Sequence, residues 1–172
     1  ADCTGVALAL AVGLGTFAAP SSAPAQEGPS GSITGTMNYD DAAWTVTAPA
    51  EDGMMRSRIT RQDRGYLVQM VGYPTDAADS ETGALVLRFA LSGAPQAWRT
   101  ENATVTMPTE ADAPEFSAGT ENIDLSVNAF EAGETGIAIA GDIVATLVLG
   151  GAGELVIDPE RQRLIDGNFQ AP

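Results

Sequence analysis

The sequence predicts an all-β fold, a single-domain antiparallel β-sandwich with a flattened β-barrel as the alternative, built from about ten strands with no substantial helix in the folded part. Three observations carry this. Short runs alternate apolar and polar residues with period two, clusters of Gly, Pro, Asn and Asp interrupt them, and no stretch combines helical periodicity with caps. The chain has 172 residues, enough for one domain with its own core.

The folded part is expected at residues 32–172. Residues 6–19 (V-A-L-A-L-A-V-G-L-G-T-F-A-A) form an apolar run of signal-peptide length, shorter than the ~20 residues of a spanning helix. Ala23, Pro24 and Ala25 then supply a small-x-small cleavage pattern, so residues 1–25 are expected to be a signal peptide cut before Gln26. No positive charge precedes the run, and the basic leader is expected upstream of Ala1. Residues 26–31 (Q-E-G-P-S-G) read as a linker.

From Ser32 the pattern has period two. Ile33, Gly35 and Met37 share one side, and Trp44 and Val46 oppose Thr45 and Thr47. N-Y-D-D at residues 38–41 is a turn sequence, so these two strands form a hairpin with Trp44 facing the core. After the break A-P-A-E-D-G, M-M-R-S-R-I-T-R and Y-L-V-Q-M-V-G-Y form a second hairpin around Q-D-R-G. An acidic loop at 74–83 leads to A-L-V-L-R-F-A-L, which places Leu85, Leu87, Phe89 and Leu91 on one face.

Q-A-W-R-T and A-T-V-T-M continue the pattern over 96–107, and a second acidic loop occupies 108–119. Ile123, Leu125 and Val127 then oppose Asp124, Ser126 and Asn128. In the longest apolar stretch, Ile137, Ile139, Ile143, Leu147 and Leu149 all fall at odd positions, as one continuous or bent strand requires, and Gly141 is expected to mark a bulge. G-G-A-G at 150–153 is a turn. E-L-V-I-D and R-Q-R-L-I-D-G-N-F-Q-A are expected to pair as a closing hairpin through Pro159 and Glu160.

Composition excludes more function than it suggests. With 23 acidic against 8 basic residues, all of them arginine, the net charge of -15 repels nucleic acid and anionic lipid. Histidine is absent, which removes the commonest general base and metal ligand. Cys3 is the sole cysteine, so an intramolecular disulfide, a cysteine zinc site and an iron–sulfur cluster are all excluded. No nucleophile motif or phosphate loop appears, and the chain is expected not to be an enzyme. A carboxylate-based hydrolase is the third reading, since two acids at a set separation suffice for glycoside cleavage.

Two constellations stand out. Asp76, Asp79 and Glu81 in the first acidic loop, and Glu110, Asp112 and Glu115 in the second, offer the hard oxygen ligands of calcium, with Asp40 and Asp41 able to join them. Their spacing is not that of an EF-hand, and a solvated acidic surface is the plainer reading of them. Arg56, Arg58, Arg61 and Arg64 place half of the positive charge in nine residues. Arg56 and Arg58 are expected on one solvent face of a strand. They offer an anion or partner site, or else pair with Glu51, Asp52 and Asp63.

Tyr66, Tyr73 and Trp98, together with Met54, Met55 and Met70, read as core before ligand patch. Asn102-Ala103-Thr104 is a glycosylation sequon of little meaning in a bacterial export context. The segment G-S-I-T-G-T-M-N-Y-D-D-A-A-W, with the closing D-G-N-F, resembles small exported β proteins of uncharacterised bacterial families. That resemblance implies export and a β fold, and no activity or site residue.

The sequence therefore points to a periplasmic or secreted protein of a bacterial envelope, with no integral membrane span. It is expected to be a noncatalytic binding or structural β module for a protein or small ligand. The alternative is a calcium-dependent or carbohydrate-binding module. No cofactor is expected unless calcium serves as one.

Overall fold

A computed structural model describes residues 31–46, 54–77, 80–133, 136–150 and 160–171. The expected signal peptide at 1–25, residues 26–30 of the expected linker at 26–31, and Glu51, Asp52 and Asp79 lie outside the described residues, while Gly31 opens the first strand. The described chain is all-β and antiparallel, as predicted. Its strands are β1 (Gly31–Met37), β2 (Asp40–Val46), β3 (Arg58–Gln62), β4 (Gly65–Pro74), β5 (Leu85–Ser92), β6 (Arg99–Met107), β7 (Phe116–Ala118), β8 (Ile123–Gly133), β9 (Gly136–Leu149) and β10 (Gln162–Ala171). A 3-10 turn at Thr120–Asn122 is the one helical element among the described residues.

The strands form two facing layers hydrogen-bonded into one sheet. β3-β4-β5-β6 is one layer and β8-β9-β10-β1-β2 the other. The inward side chains meet across the gap: Phe89 of β5 lies 6.4 Å from Phe169 of β10, and Tyr66 of β4 lies 4.7 Å from Phe130 of β8. The layers join at two corners. β2 reaches β4 through Trp44↔Pro74 and Thr45↔Tyr73, and β7 bridges β6 to β9. The sandwich expectation and its barrel-like alternative thus describe the same pairing circuit from two sides.

Local sequence explains most elements. Asn38 and Tyr39 both take positive φ (53° and 72°), the tight two-residue turn whose twist suits a hairpin, and Asp40 and Asp41 belong to β2 rather than to the turn. Leu85, Leu87, Phe89 and Leu91 are all buried, as the alternation requires. β9 is one continuous strand with its odd residues inward. Gly141 does mark a bulge, but the extra residue sits on β8 opposite it, where the register shifts between Val127 and Ala129. The shift changes which parity faces inward, so Leu125 and Phe130 both point to the core. A second bulge, at Asn102 with φ 53°, re-phases β6 in the same way.

Three expectations are corrected. Phe116–Ala118 is a strand within the second acidic loop, because Phe116 and Ala118 are buried beneath the β6–β9 corner. The expected closing hairpin is not formed by β10: its edges are taken by β9 and β1, and Asn38 holds Leu164 at the remaining stretch. The E-L-V-I-D half of that expectation lies outside the described residues.

The third correction concerns Arg56, which precedes β3 and does not share a strand face with Arg58. The reason is Ser57, whose hydroxyl takes the N–H of Val71 at 2.8 Å and so replaces a backbone ladder bond. Residues 54–57 become a strap across the outer face of β4 and β5. Met54 and Met55 cover a second small core there, formed by Val71, Tyr73, Ala84 and Val86.

Candidate functional site

No polar or charged side chain is buried among the described residues, and the main core is wholly apolar. A site must therefore lie where the layers part. At the β6 side, β8 closes against β6, with the Thr100 hydroxyl donating to the Leu125 carbonyl at 3.1 Å. At the opposite side β2 reaches β4 through two residue pairs, and β3 hydrogen-bonds to β4 alone among the described strands.

A cleft of about 330 Å³ lies between β3 and β4 on one wall and the first part of β9 with the end of β10 on the other. Val68, Met70 and Ile139 are its buried floor, and Ile59, Ile137 and Ala171 its half-buried walls. Ser57, Arg58 and Gln69 form the rim. Gln69 is fixed by two bonds: its amide nitrogen donates to the Arg56 carbonyl at 2.8 Å, and its oxygen accepts from Arg88 Nε at 2.9 Å. A hydrogen-bonded rim over an apolar floor suits binding of a largely apolar group with one oriented end.

Of the predicted arginines, only Arg58 reaches this cleft. Arg61 sits opposite Tyr66 near the end of β3, and Arg64 lies in the turn to β4. No described carboxylate pairs with Arg58, Arg61 or Arg64, so the expected pairing with Asp63 is not formed, and Glu51 and Asp52 lie outside the described residues. Sequence reasoning missed Ile59, Val68, Met70, Ile137, Ile139 and Ala171 as site residues. The available signal was that β3 carries one apolar residue, Ile59, and cannot cover the strand beside it.

The two acidic loops do meet. Gly83 N–H donates to the Pro108 carbonyl at 2.9 Å, and Glu81, Glu110 and Glu115 line one groove of about 430 Å³. Asp112 adopts φ 67° in the second loop and does not line that groove. Asp76 lies elsewhere, with Asp41, beside a cleft of about 460 Å³ floored by Met37, Trp44 and Met107. Trp44 is held there by its indole N–H donating to the Gly83 carbonyl at 2.9 Å. Among the described residues no three acidic, histidine or cysteine side chains are grouped to hold a metal ion.

The aromatic residues do not form one patch. Tyr66 and Trp98 pack on Phe130, with Trp98 edge-on at 5.2 Å, and close one end of the core. Tyr73 lies on the opposite face of β4 under the strap, where its hydroxyl donates to the Met55 carbonyl at 2.6 Å while Glu81 accepts from the Met55 N–H. Burial, and then the nearby Glu81 charge, raise the Tyr73 phenol above its ordinary 10.0. Large exposed apolar side chains are scattered singly at Tyr39, Leu67 and Val144. No described helix is long and apolar enough to cross a membrane.

Set against protein-family models, curated proteins and solved structures, the chain matches none. Fold and site define an all-β module with an apolar cleft between β3–β4 and β9–β10.

Proposed function

We propose that this protein is an exported, noncatalytic binding module of a bacterial envelope that receives a small ligand in the cleft between β3–β4 and β9–β10. The observation that carries the reading is the cleft itself, where half-buried Ile59, Ile137 and Ala171 wall a floor of buried Val68, Met70 and Ile139 beneath a hydrogen-bonded polar rim. Binding is favoured over catalysis because the rim groups sit at the surface, whereas acid–base catalysts work from sheltered, perturbed positions. The apolar run at 6–19 with its A-P-A site supports export, and the acidity supports a freely solvated mature chain.

The test is saturable binding of an environment-sensitive apolar dye. The parent protein binds it with unit stoichiometry, and Ala171→Trp, which plugs the mouth of the cleft, abolishes binding while leaving the fold intact by circular dichroism. Dye binding unchanged by that substitution overturns the reading. A second reading, a calcium-dependent or carbohydrate-binding module, is favoured by Glu81, Glu110 and Glu115 lining one groove. A melting-temperature gain with calcium that matched magnesium and sodium chloride do not reproduce would promote it.

A further inference from the structure

Resting on that cleft as the ligand site, we propose that its ligand is an elongated monocarboxylate, a medium-length apolar chain whose anionic end is taken by Arg58. The interior of the cleft offers no donor or acceptor side chain, because Val68, Met70 and Ile139 are apolar and buried. Anything entering deeply must therefore be apolar, since a polar group buried without a partner loses its hydration for nothing. At about 330 Å³ the cleft lies at the small end of the ~300 to 1,000 Å³ range of small-molecule sites, which suits a single chain and excludes a bulky ring system.

The rim selects the head group. The Ser57 hydroxyl is engaged with the Val71 backbone, and both ends of the Gln69 amide are bonded. Arg58 is the rim group whose guanidinium donates to no described residue, and it stands on the strand wall of the cleft. A planar guanidinium and a carboxylate make two parallel bonds, which neither an alcohol nor a cationic head can match. Charge complementarity points the same way. On a chain of net charge -15, half of the arginines fall within residues 56–64, a local concentration of positive charge that favours an anion there.

Calorimetric titration of the full 172-residue chain with decanoate, 1-decanol and decyltrimethylammonium, all kept monomeric, tests this. Decanoate is expected to bind one to one, and decanol about tenfold or more weaker, as for the loss of a charged hydrogen bond. Decyltrimethylammonium is expected to be weakest. Arg58→Gln weakens decanoate about tenfold and leaves decanol unchanged. Ala171→Trp abolishes all three, with Ile137→Glu as the blocking variant if that protein does not fold.

Decanol binding as tightly as decanoate, with Arg58→Gln silent and Ala171→Trp still blocking, overturns the carboxylate assignment and leaves the cleft reading standing. Absence of saturable binding by any of the three, or binding that neither blocking variant alters, overturns both.

Discussion

Gly141→Ala tests whether the bulge in β8 is built around one glycine. A Cβ at this position would lie 2.0 Å from the Ser126 carbonyl oxygen and 2.6 Å from Cζ of Phe169. Ordinary carbon–oxygen contacts begin near 3.3 Å, so β8 and β9 must separate by about 1.3 Å, and the buried Phe169 ring must also shift from its place against Phe89. Overpacking a finished core costs about 1–3 kcal/mol, while alanine recovers about 0.5–1 kcal/mol of glycine's chain entropy. Because the blocking atom is backbone rather than a flexible side-chain tip, the upper part of the range applies, and a net loss of about 1–2 kcal/mol is expected.

At roughly 2–4 °C per kcal/mol for a chain of this size, the melting temperature falls by about 2–8 °C. The displacement also reaches Phe130, which the bulge turns inward, and through it Trp98 at 5.2 Å. Circular dichroism melts and tryptophan emission of Gly141→Ala therefore change together. A variant as stable as the parent, with unaltered emission, refutes the reasoning.

Four further outcomes follow from the same contacts. Because the folded-state phenol of Tyr73 titrates above its ordinary 10.0, folding favours its protonated form. Stability is unaffected below pH 10, falls as pH rises from there through the raised value, and this alkaline loss shrinks in Tyr73→Phe, read by urea titration across pH. Trp44→Phe removes the bond to the Gly83 carbonyl and costs about 1 kcal/mol, measured by denaturant midpoint; an unchanged midpoint counts against that corner's role. Calcium raises the melting temperature no more than magnesium and sodium chloride at matched ionic strength, the outcome for a solvated acidic surface; a calcium-specific gain would favour the second reading. Protein recovered from a bacterial envelope begins at Gln26 by N-terminal sequencing, and one that retains residues 1–25 contradicts the export signal.

The fold was legible because sheet periodicity is a local property. The odd-numbered residues of β9 and the alternation in β5 face inward whatever their partners are. Gly141 was legible as a bulge marker from its place in an otherwise β-branched strand, although not which strand carried the extra residue, since that depends on the partner's register. Phe116–Ala118 was hidden because three residues show no period, and their strand character comes from the pocket beneath them. Arg56 was misplaced because Ser57 bonds to backbone across the sheet, a tertiary fact.

The cleft was the least legible feature. Its floor residues read as core, which they are, and the cleft over them depends on how β3 and β4 sit against β9 and β10, a tertiary fact. Arg58 alone linked the sequence-level candidates to it, as one of four arginines that looked equivalent. The acidic loops were read as possible neighbours, and Glu81, Glu110 and Glu115 do share a groove, while Asp76 is drawn to the Trp44 cleft by the turn that follows β4.

The most direct test of the account is methyl NMR of the protein titrated with decanoate. The cleft assignment predicts saturating shifts at the methyl groups of Ile59, Ile137, Ile139 and Met70, with Leu67 and Val144 on the outer faces unmoved. Shifts confined to those outer residues or to the acidic loops, or no shifts at all, would contradict it.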